Sequence, residues 1–349
     1  MRAIRIVEAG EPLQDCDLPR PEPGPGEVRV RVAAAGICHS DVHYRTGFPP
    51  LAVLPRTPGH EIAGTIEAVG FGVAQSRLNE RVCVHYQASC GSCDLCTSQR
   101  EQFCAEGWMI GKDRDGGFAE AIVVPGRNAY SIPDAVSFEH AAVMMCSTAT
   151  SYHALRRTRV RTAERVVTFG AGGLGMSAIQ LAFLLGASKV YAVDLDHDRL
   201  ALAEAFGATA IAADEDPIAA VLGDGGADVA LDLIGSAEVM RTGLATLRPG
   251  GRLGAVGLTP DTMHLAPYLE LVAHEIEVIG VSDHLGSEIP ELLAFCAAGD
   301  LSLESIVTGR VGLVAGHVNE VMDRIEQRRS GDVRTVIVPD PRLLRSGDL

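Results

Sequence analysis

Three cysteines in Cys90-Gly91-Ser92-Cys93-Asp94-Leu95-Cys96, with Cys104 as a fourth beyond a seven-residue spacer, have the spacing to wrap four thiolates round one tetrahedral Zn²⁺. Structural zinc sites are closed four-coordinate shells, so this lobe would hold its metal without leaving a position for substrate, and catalysis must happen elsewhere. A second set of ligating side chains is present. Cys38 in Gly36-Ile37-Cys38-His39-Ser40-Asp41-Val42-His43, His60 in Gly59-His60-Glu61, and Cys146 in Met145-Cys146-Ser147-Thr148 offer two thiolates and one imidazole. That three-ligand set leaves a fourth position open on a zinc. One closed metal and one open metal, two Zn²⁺ per chain, point to an enzyme.

A third motif speaks to a cofactor. Gly170-Ala171-Gly172-Gly173-Leu174-Gly175 follows an apolar strand pattern and opens a helical one. Glycines there permit a tight turn and close backbone approach, while the helix N-terminus faces a pyrophosphate. Asp194 ends the next strand pattern, about twenty residues on, where a carboxylate accepts hydrogen bonds from the adenosine ribose hydroxyls and repels a 2′-phosphate. The expected cofactor is NAD rather than NADP, with Arg199 close enough in sequence to soften the preference.

The elements that must position these residues change character along the chain. At 349 residues and 47% hydrophobic content, two domains are expected. Up to about residue 145, short strands are predicted at Val28 to Val32, Ile62 to Ala68, Arg81 to Val84 and Ala121 to Val124, separated by Gly and Pro as in an irregular all-β body. From Arg165 strand and helix alternate: a strand Arg165 to Phe169, a helix Gly173 to Leu185, a strand Val190 to Asp194 and a helix Arg199 to Phe206. That order implies parallel βαβ units. Strands at Val229 to Leu233, Arg252 to Val256 and Glu277 to Gly280 extend this half, followed by a helix Ile289 to Ala298 and a terminal strand Arg334 to Val338.

The formal charge of −15 argues against nucleic acid or an anionic membrane as partner, since both select basic surfaces. No stretch approaches the roughly 18 uninterrupted apolar residues of a membrane span, and the N-terminus carries no export pattern, so a cytoplasmic location is expected. Nine cysteines in such a chain read as reduced thiolates spaced for metal, not as disulfides. Cys16, Cys83 and Cys296 match no motif and read as packing residues.

With these motifs in hand, the sequence resembles the zinc-dependent medium-chain alcohol dehydrogenases along essentially its whole length. The resemblance is carried by Gly59-His60-Glu61, the Cys38 to Asp41 segment, the four-cysteine lobe, Cys146 ahead of Tyr152-His153-Ala154-Leu155, the glycine run, and Ser330-Gly331-Asp332-Val333-Arg334. It implies a GroES-like β-rich catalytic domain with an inserted Rossmann doubly wound parallel sheet. The boundaries expected are residues 1–147 with the zinc lobe, 148–284 for the NAD-binding domain, and 285–349 returning to the first. Carried over residue by residue, Cys38, His60 and Cys146 are the catalytic zinc ligands and Glu61 an alternative or transient one, with Asp41 fixing the His60 tautomer. Ser40 would bond the substrate alcohol and pass its proton by way of the nicotinamide ribose to His43. Thr150 would lie near the nicotinamide, and His39 and Arg334 would contact pyrophosphate.

The activity implied is reversible hydride transfer between an alcohol and NAD, giving an aldehyde or ketone. By alignment with the family, Phe48, Tyr86, Trp108 and Leu258 line a mostly apolar substrate pocket, which favours hydrophobic primary or secondary alcohols. Polyol dehydrogenases of the superfamily tend to carry glutamate as third ligand, so Cys146 weighs modestly against a sugar alcohol. Other readings are a zinc-free quinone or enoyl reductase on the same scaffold, which would need neither cysteine set, and a dinucleotide-binding protein without turnover. The expected partner is a small alcohol or carbonyl compound, in a homodimer or homotetramer as in relatives.

Overall fold

Residues 1–327 and 333–343 are described by a computed structural model, so Ser330 to Asp332 of the motif above lie outside the described residues. The chain divides into two compact units, one of residues 1–146 and 285–349, the other of residues 147–284 inserted in it. Among the described residues no helix is long and apolar enough to cross a membrane.

The first unit is built on a seven-stranded sheet in the order Val307–Gly312, Arg334–Val338, Glu27–Gly36, Glu61–Val69, Arg81–Val84, Ala129–Ser131, with Ala121–Pro125 pairing Glu27–Gly36 off that path. Glu27–Gly36 alternates buried and less buried residues, so Val28, Val30 and Val32 enter one core with Ile62, Ile66, Val82, Val84, Phe118 and Ile122. Cys38 and Cys146 belong to that same core. The terminal strand joins it antiparallel, Val336 opposite Gly36 and Ile337 opposite Ala35.

This stretch is not all β, as the strand pattern suggested, because helices His39–Thr46 and Phe138–Val143 interrupt it. The first is set by its ends. Cys38 in extended backbone is its N-cap, Asp41 reaches back to the Cys38 N–H at 2.9 Å, and Gly47 closes it in the left-handed conformation. Its other face carries Arg45, buried, paired with Asp323 at 2.7 Å and Glu326 at 2.8 Å on the helix Ala315–Glu326.

The inserted unit has a six-stranded parallel sheet in the order Thr209–Ala212, Lys189–Asp194, Arg165–Phe169, Ala227–Asp232, Leu247–Ala255, Glu277–Gly280. The expected doubly wound sheet is therefore present. Strand order reverses between Arg165–Phe169 and Ala227–Asp232, where the chain passes from one half of the sheet to the other. Val167, Phe169, Tyr191, Ala230 and Leu253 fill its core. Truncating the fully buried Leu253 to Ala removes contacts on all sides, and should cost about 2–5 kcal/mol in urea denaturation. Phe71→Ala, at a position 88% exposed, should stay within about 0.5 kcal/mol of the parent.

Candidate active site

Strand Glu61–Val69, the N-terminus of helix His39–Thr46 and the π-helical turn Met144–Thr148 bring Cys38, His60, Glu61 and Cys146 together, their ligand atoms all within 4.8 Å of one another and buried. The two sulfurs lie 3.8 Å apart. Zn–S bonds of about 2.3 Å in a tetrahedron set neighbouring sulfurs about 3.8 Å apart, whereas a disulfide would need about 2 Å. The donor set and spacing therefore fit a zinc ion.

Asp41 is the hub of this site. It is fully buried, one oxygen accepts from Cys38 N at 2.9 Å, and the other accepts from Gly59 N at 3.1 Å and stands 3.4 Å from His60 Nδ1. Burial works against a charged imidazole, but the Asp41 carboxylate and the Cys38 sulfur outweigh it and hold His60 up at about 10. The Cys146 thiol, with Arg334 and His60, holds Cys38 well below the usual thiol range against the cost of burial. With a proton on His60 the site already surrounds a positive charge, the place a metal cation would take. Glu61, also fully buried, forms an ion pair with the Arg334 guanidinium, which also donates to Ile37 O at 3.4 Å.

In the lobe, Cys90, Cys93, Cys96 and Cys104 cluster in the same way, with sulfurs 3.7 Å apart for Cys90 and Cys96, 3.5 Å for Cys93 and Cys96, and 3.9 Å for Cys93 and Cys104. Backbone N–H groups of Ser92 and Cys93 hold Cys90 down at about 6, so a thiolate is present at neutral pH for a metal to bind. Cys83 is the contrast: burial pushes its thiol up to about 12.

In the inserted unit the glycine run behaves as a strand-to-helix turn. Phe169 ends a strand, helix Gly173–Leu184 begins with Gly172 as N-cap, and a Cβ at Gly175 would overlap the Gly170 carbonyl, so only glycine lets the turn close. Asp194 does more than the sequence suggested. One oxygen accepts from Ala171 N at 2.6 Å and the other from Asp196 N at 2.9 Å, which pins the glycine turn to the end of the neighbouring strand. Arg199 pairs with Asp196 at 3.6 Å rather than with Asp194. Thr150 stands half-buried on helix Ala149–Arg157, which is stitched to helix Gly173–Leu184 by Ser151 donating to Leu174 O at 2.8 Å and by the Thr148 and Ser177 hydroxyls at 3.0 Å. Neither Ser151 nor Ser177 belongs to a motif, so nothing in the sequence singled them out.

The remaining candidates are scattered more widely. Ser40 Oγ lies 3.8 Å from Cys38 Sγ. His39 and His43, one helical turn apart, have ring centroids 4.8 Å apart, and the Phe48 ring, 51% exposed, stands steeply inclined to that of His43 with centroids 6.4 Å apart. Tyr86 presents its ring to His60 at 5.1 Å. Trp108 lies on the short strand Trp108–Met109 under the Arg114 guanidinium, 3.9 Å from its ring centroid, and Leu258 is exposed on the inserted unit.

The family model of the alcohol dehydrogenase GroES-like domain matches residues 24–134, and that of the zinc-binding dehydrogenases matches residues 173–298. The chain is 33% identical over 330 residues to an alcohol dehydrogenase of Geobacillus stearothermophilus, covering 93% of this chain and 96% of that protein. It is 30% identical over 319 residues to the sorbitol dehydrogenase of Bacillus subtilis, covering 88% of each. The alcohol dehydrogenase rspB of Escherichia coli CFT073, solved with NADH, superposes with a TM-score of 0.89 at 26% identity, covering 97% of this chain and 99% of that one.

Asp41→Ala should weaken zinc binding about 10- to 100-fold in a chelator competition titration, since it removes the acceptor that orients His60 and the cap that fixes Cys38. The full-length similarity and the two matched domain models establish that the chain belongs to the zinc-dependent medium-chain alcohol dehydrogenase family.

Proposed function

We propose that this oxidoreductase is an NAD-dependent zinc alcohol dehydrogenase acting on hydrophobic primary or secondary alcohols and on the matching aldehydes and ketones. The observation that carries the reading is the buried grouping of Cys38, His60, Glu61 and Cys146 about one point, oriented by Asp41. We assign residues 1–147 and 285–349 to catalysis and 148–284 to the dinucleotide. Two zinc ions per chain are proposed, one held by Cys38, His60 and Cys146 with Glu61 as alternative ligand, the other by Cys90, Cys93, Cys96 and Cys104. The working form is proposed as a cytoplasmic homodimer or homotetramer.

Zinc at the first site would lower the pKa of a ligated oxygen to about 7 and polarise a carbonyl in the reverse direction. NAD would supply the hydride acceptor. The chain's own residues bind, orient and move protons. Asp41 holds His60 and Cys38 in place, and Arg334 holds Glu61 by its ion pair. Ser40, beside Cys38, would take the proton of the substrate hydroxyl, and His43, only partly buried two residues past Asp41, would release it to water. Gly170, Gly172, Gly173, Leu174 and Gly175 would face the pyrophosphate with backbone N–H groups, with His39 and Arg334 as further anion contacts and Thr150 beside the nicotinamide. Asp194 uses one lone pair of each oxygen on backbone N–H groups and keeps others for ribose hydroxyls.

The Tyr86 ring beside His60 and the exposed Phe48 beside His43 support an apolar substrate wall, to which Trp108 and Leu258 are further candidates. Similarity to the Bacillus subtilis sorbitol dehydrogenase favours a second reading, a polyol dehydrogenase. Metal analysis with NAD-coupled assays on aliphatic, benzylic, secondary and polyol alcohols separates the two: near two zincs per chain with turnover on apolar alcohols is expected. Preference for sorbitol supports the second reading, and no turnover on any alcohol sinks both. For cofactor choice, Asp194→Gly should improve kcat/KM for NADP relative to NAD by about tenfold or more, by removing a carboxylate that repels a 2′-phosphate. A parent enzyme that already prefers NADP would overturn that assignment.

A further inference from the structure

We infer that Asp232 is a positioning residue for the dinucleotide, shaping the loop that starts beside the glycine turn where the order of the parallel strands reverses. The inference rests on the NAD reading above, but its residue belongs to no motif in the sequence. Dinucleotides bind outside the carboxyl ends of the strands at such a reversal, which here falls between Arg165–Phe169 and Ala227–Asp232. Phe169, leading into the glycine turn, is the register partner of Asp232, and Leu233 N donates to Phe169 O at 3.1 Å. The two loops leaving these strands therefore start side by side, one the glycine turn and the other residues 233–236.

Asp232 is fully buried, and its carboxylate is spent entirely on that second loop. It accepts from Ile234 N at 3.0 Å and from Gly235 N at 3.1 and 3.2 Å. Burial pushes the carboxyl up, and these N–H groups, with that of Ser236, pull it down. A buried carboxylate is tolerated only when so satisfied, and an apolar side chain would fill the core at less cost. What the carboxylate adds is loop shape. Gly235 is held in the left-handed region, at φ 83°, close enough to the next strand's exit that a Cβ on it would overlap Leu258 O. The Asp232 carbonyl meanwhile accepts from Val256 N at 3.1 Å and Gly257 N at 3.0 Å. One residue thus ties together the exits of Ala227–Asp232 and Leu247–Ala255, beside the glycine turn.

Asp232→Asn keeps the shape but turns an NH₂ group toward backbone N–H donors. In the full-length holoenzyme, the NADH dissociation constant, read from nucleotide fluorescence, should rise about tenfold or more. KM for NAD should rise in parallel, with kcat at saturating NAD within about twofold of the parent and zinc content unchanged. Gly235→Ala distorts the same loop without touching the carboxylate and should give the same split, and it carries the test if Asp232→Asn does not fold. Parent-like NADH affinity in the folded variants, even with lowered thermal stability, would show a purely structural role and overturn the inference. Failure of the parent itself to bind NADH would overturn the NAD reading and this inference with it, whereas parent binding with unaffected variants overturns this inference alone.

Discussion

A single carboxylate with no exposed surface, Asp41, joins two pieces of chain, its own segment from Cys38 and the Gly59-His60 pair. It caps helix His39–Thr46 through Cys38 N, receives Gly59 N from the loop before strand Glu61–Val69, and faces His60 Nδ1. Burying that charge is unfavourable unless its lone pairs are used, and here the groups that use them are the ones that place the candidate metal-ligating side chains. The same field makes the site hungry for positive charge. With no metal the proton on His60 answers it, which is why that imidazole is held up at about 10. A metal bound at this site would compete with that proton.

Rigidity comes from farther away. Helix His39–Thr46 has only eight residues, too short to be stable by its own hydrogen bonds, and it depends on packing. Arg45, buried on its inner face and paired with Asp323 and Glu326, braces it against helix Ala315–Glu326, so residues near the end of the chain hold residues near its beginning. Charge-assisted pairs of a largely buried guanidinium keep a defined geometry where a surface pair would not. The Glu61 and Arg334 pair has the same logic, joining strand Glu61–Val69 to the terminal strand.

The inserted unit solves a different problem, that of presenting backbone N–H groups at the ends of strands. Here too carboxylates set the loops. Asp194 pins the glycine turn through Ala171 N, and Asp232 pins the neighbouring loop through Ile234 N and Gly235 N. Two strand ends, each closed by an aspartate bonded to backbone, form a rim on which a bound ligand would lose little binding energy to ordering loops.

Elements with a plain apolar pattern were legible from residues alone: Arg81–Val84, Arg165–Phe169, Glu277–Gly280, Ile289–Ala298 and Arg334–Val338 have the bounds that their residues indicate. Ligand spacing in the lobe and the glycine run were legible for the same reason, since local chemistry needs residues close in sequence. Helix His39–Thr46 was not, because its residues are mostly polar and its stability lies in a cap and a distant brace. The resemblance indicated Asp41 beside His60, but its bonds to Cys38 N and Gly59 N, the Glu61 and Arg334 pair and the loop held by Asp232 were hidden. Each depends on which strand lies beside which, a choice made by the burial of whole sheet faces, and no periodicity in one segment carries it.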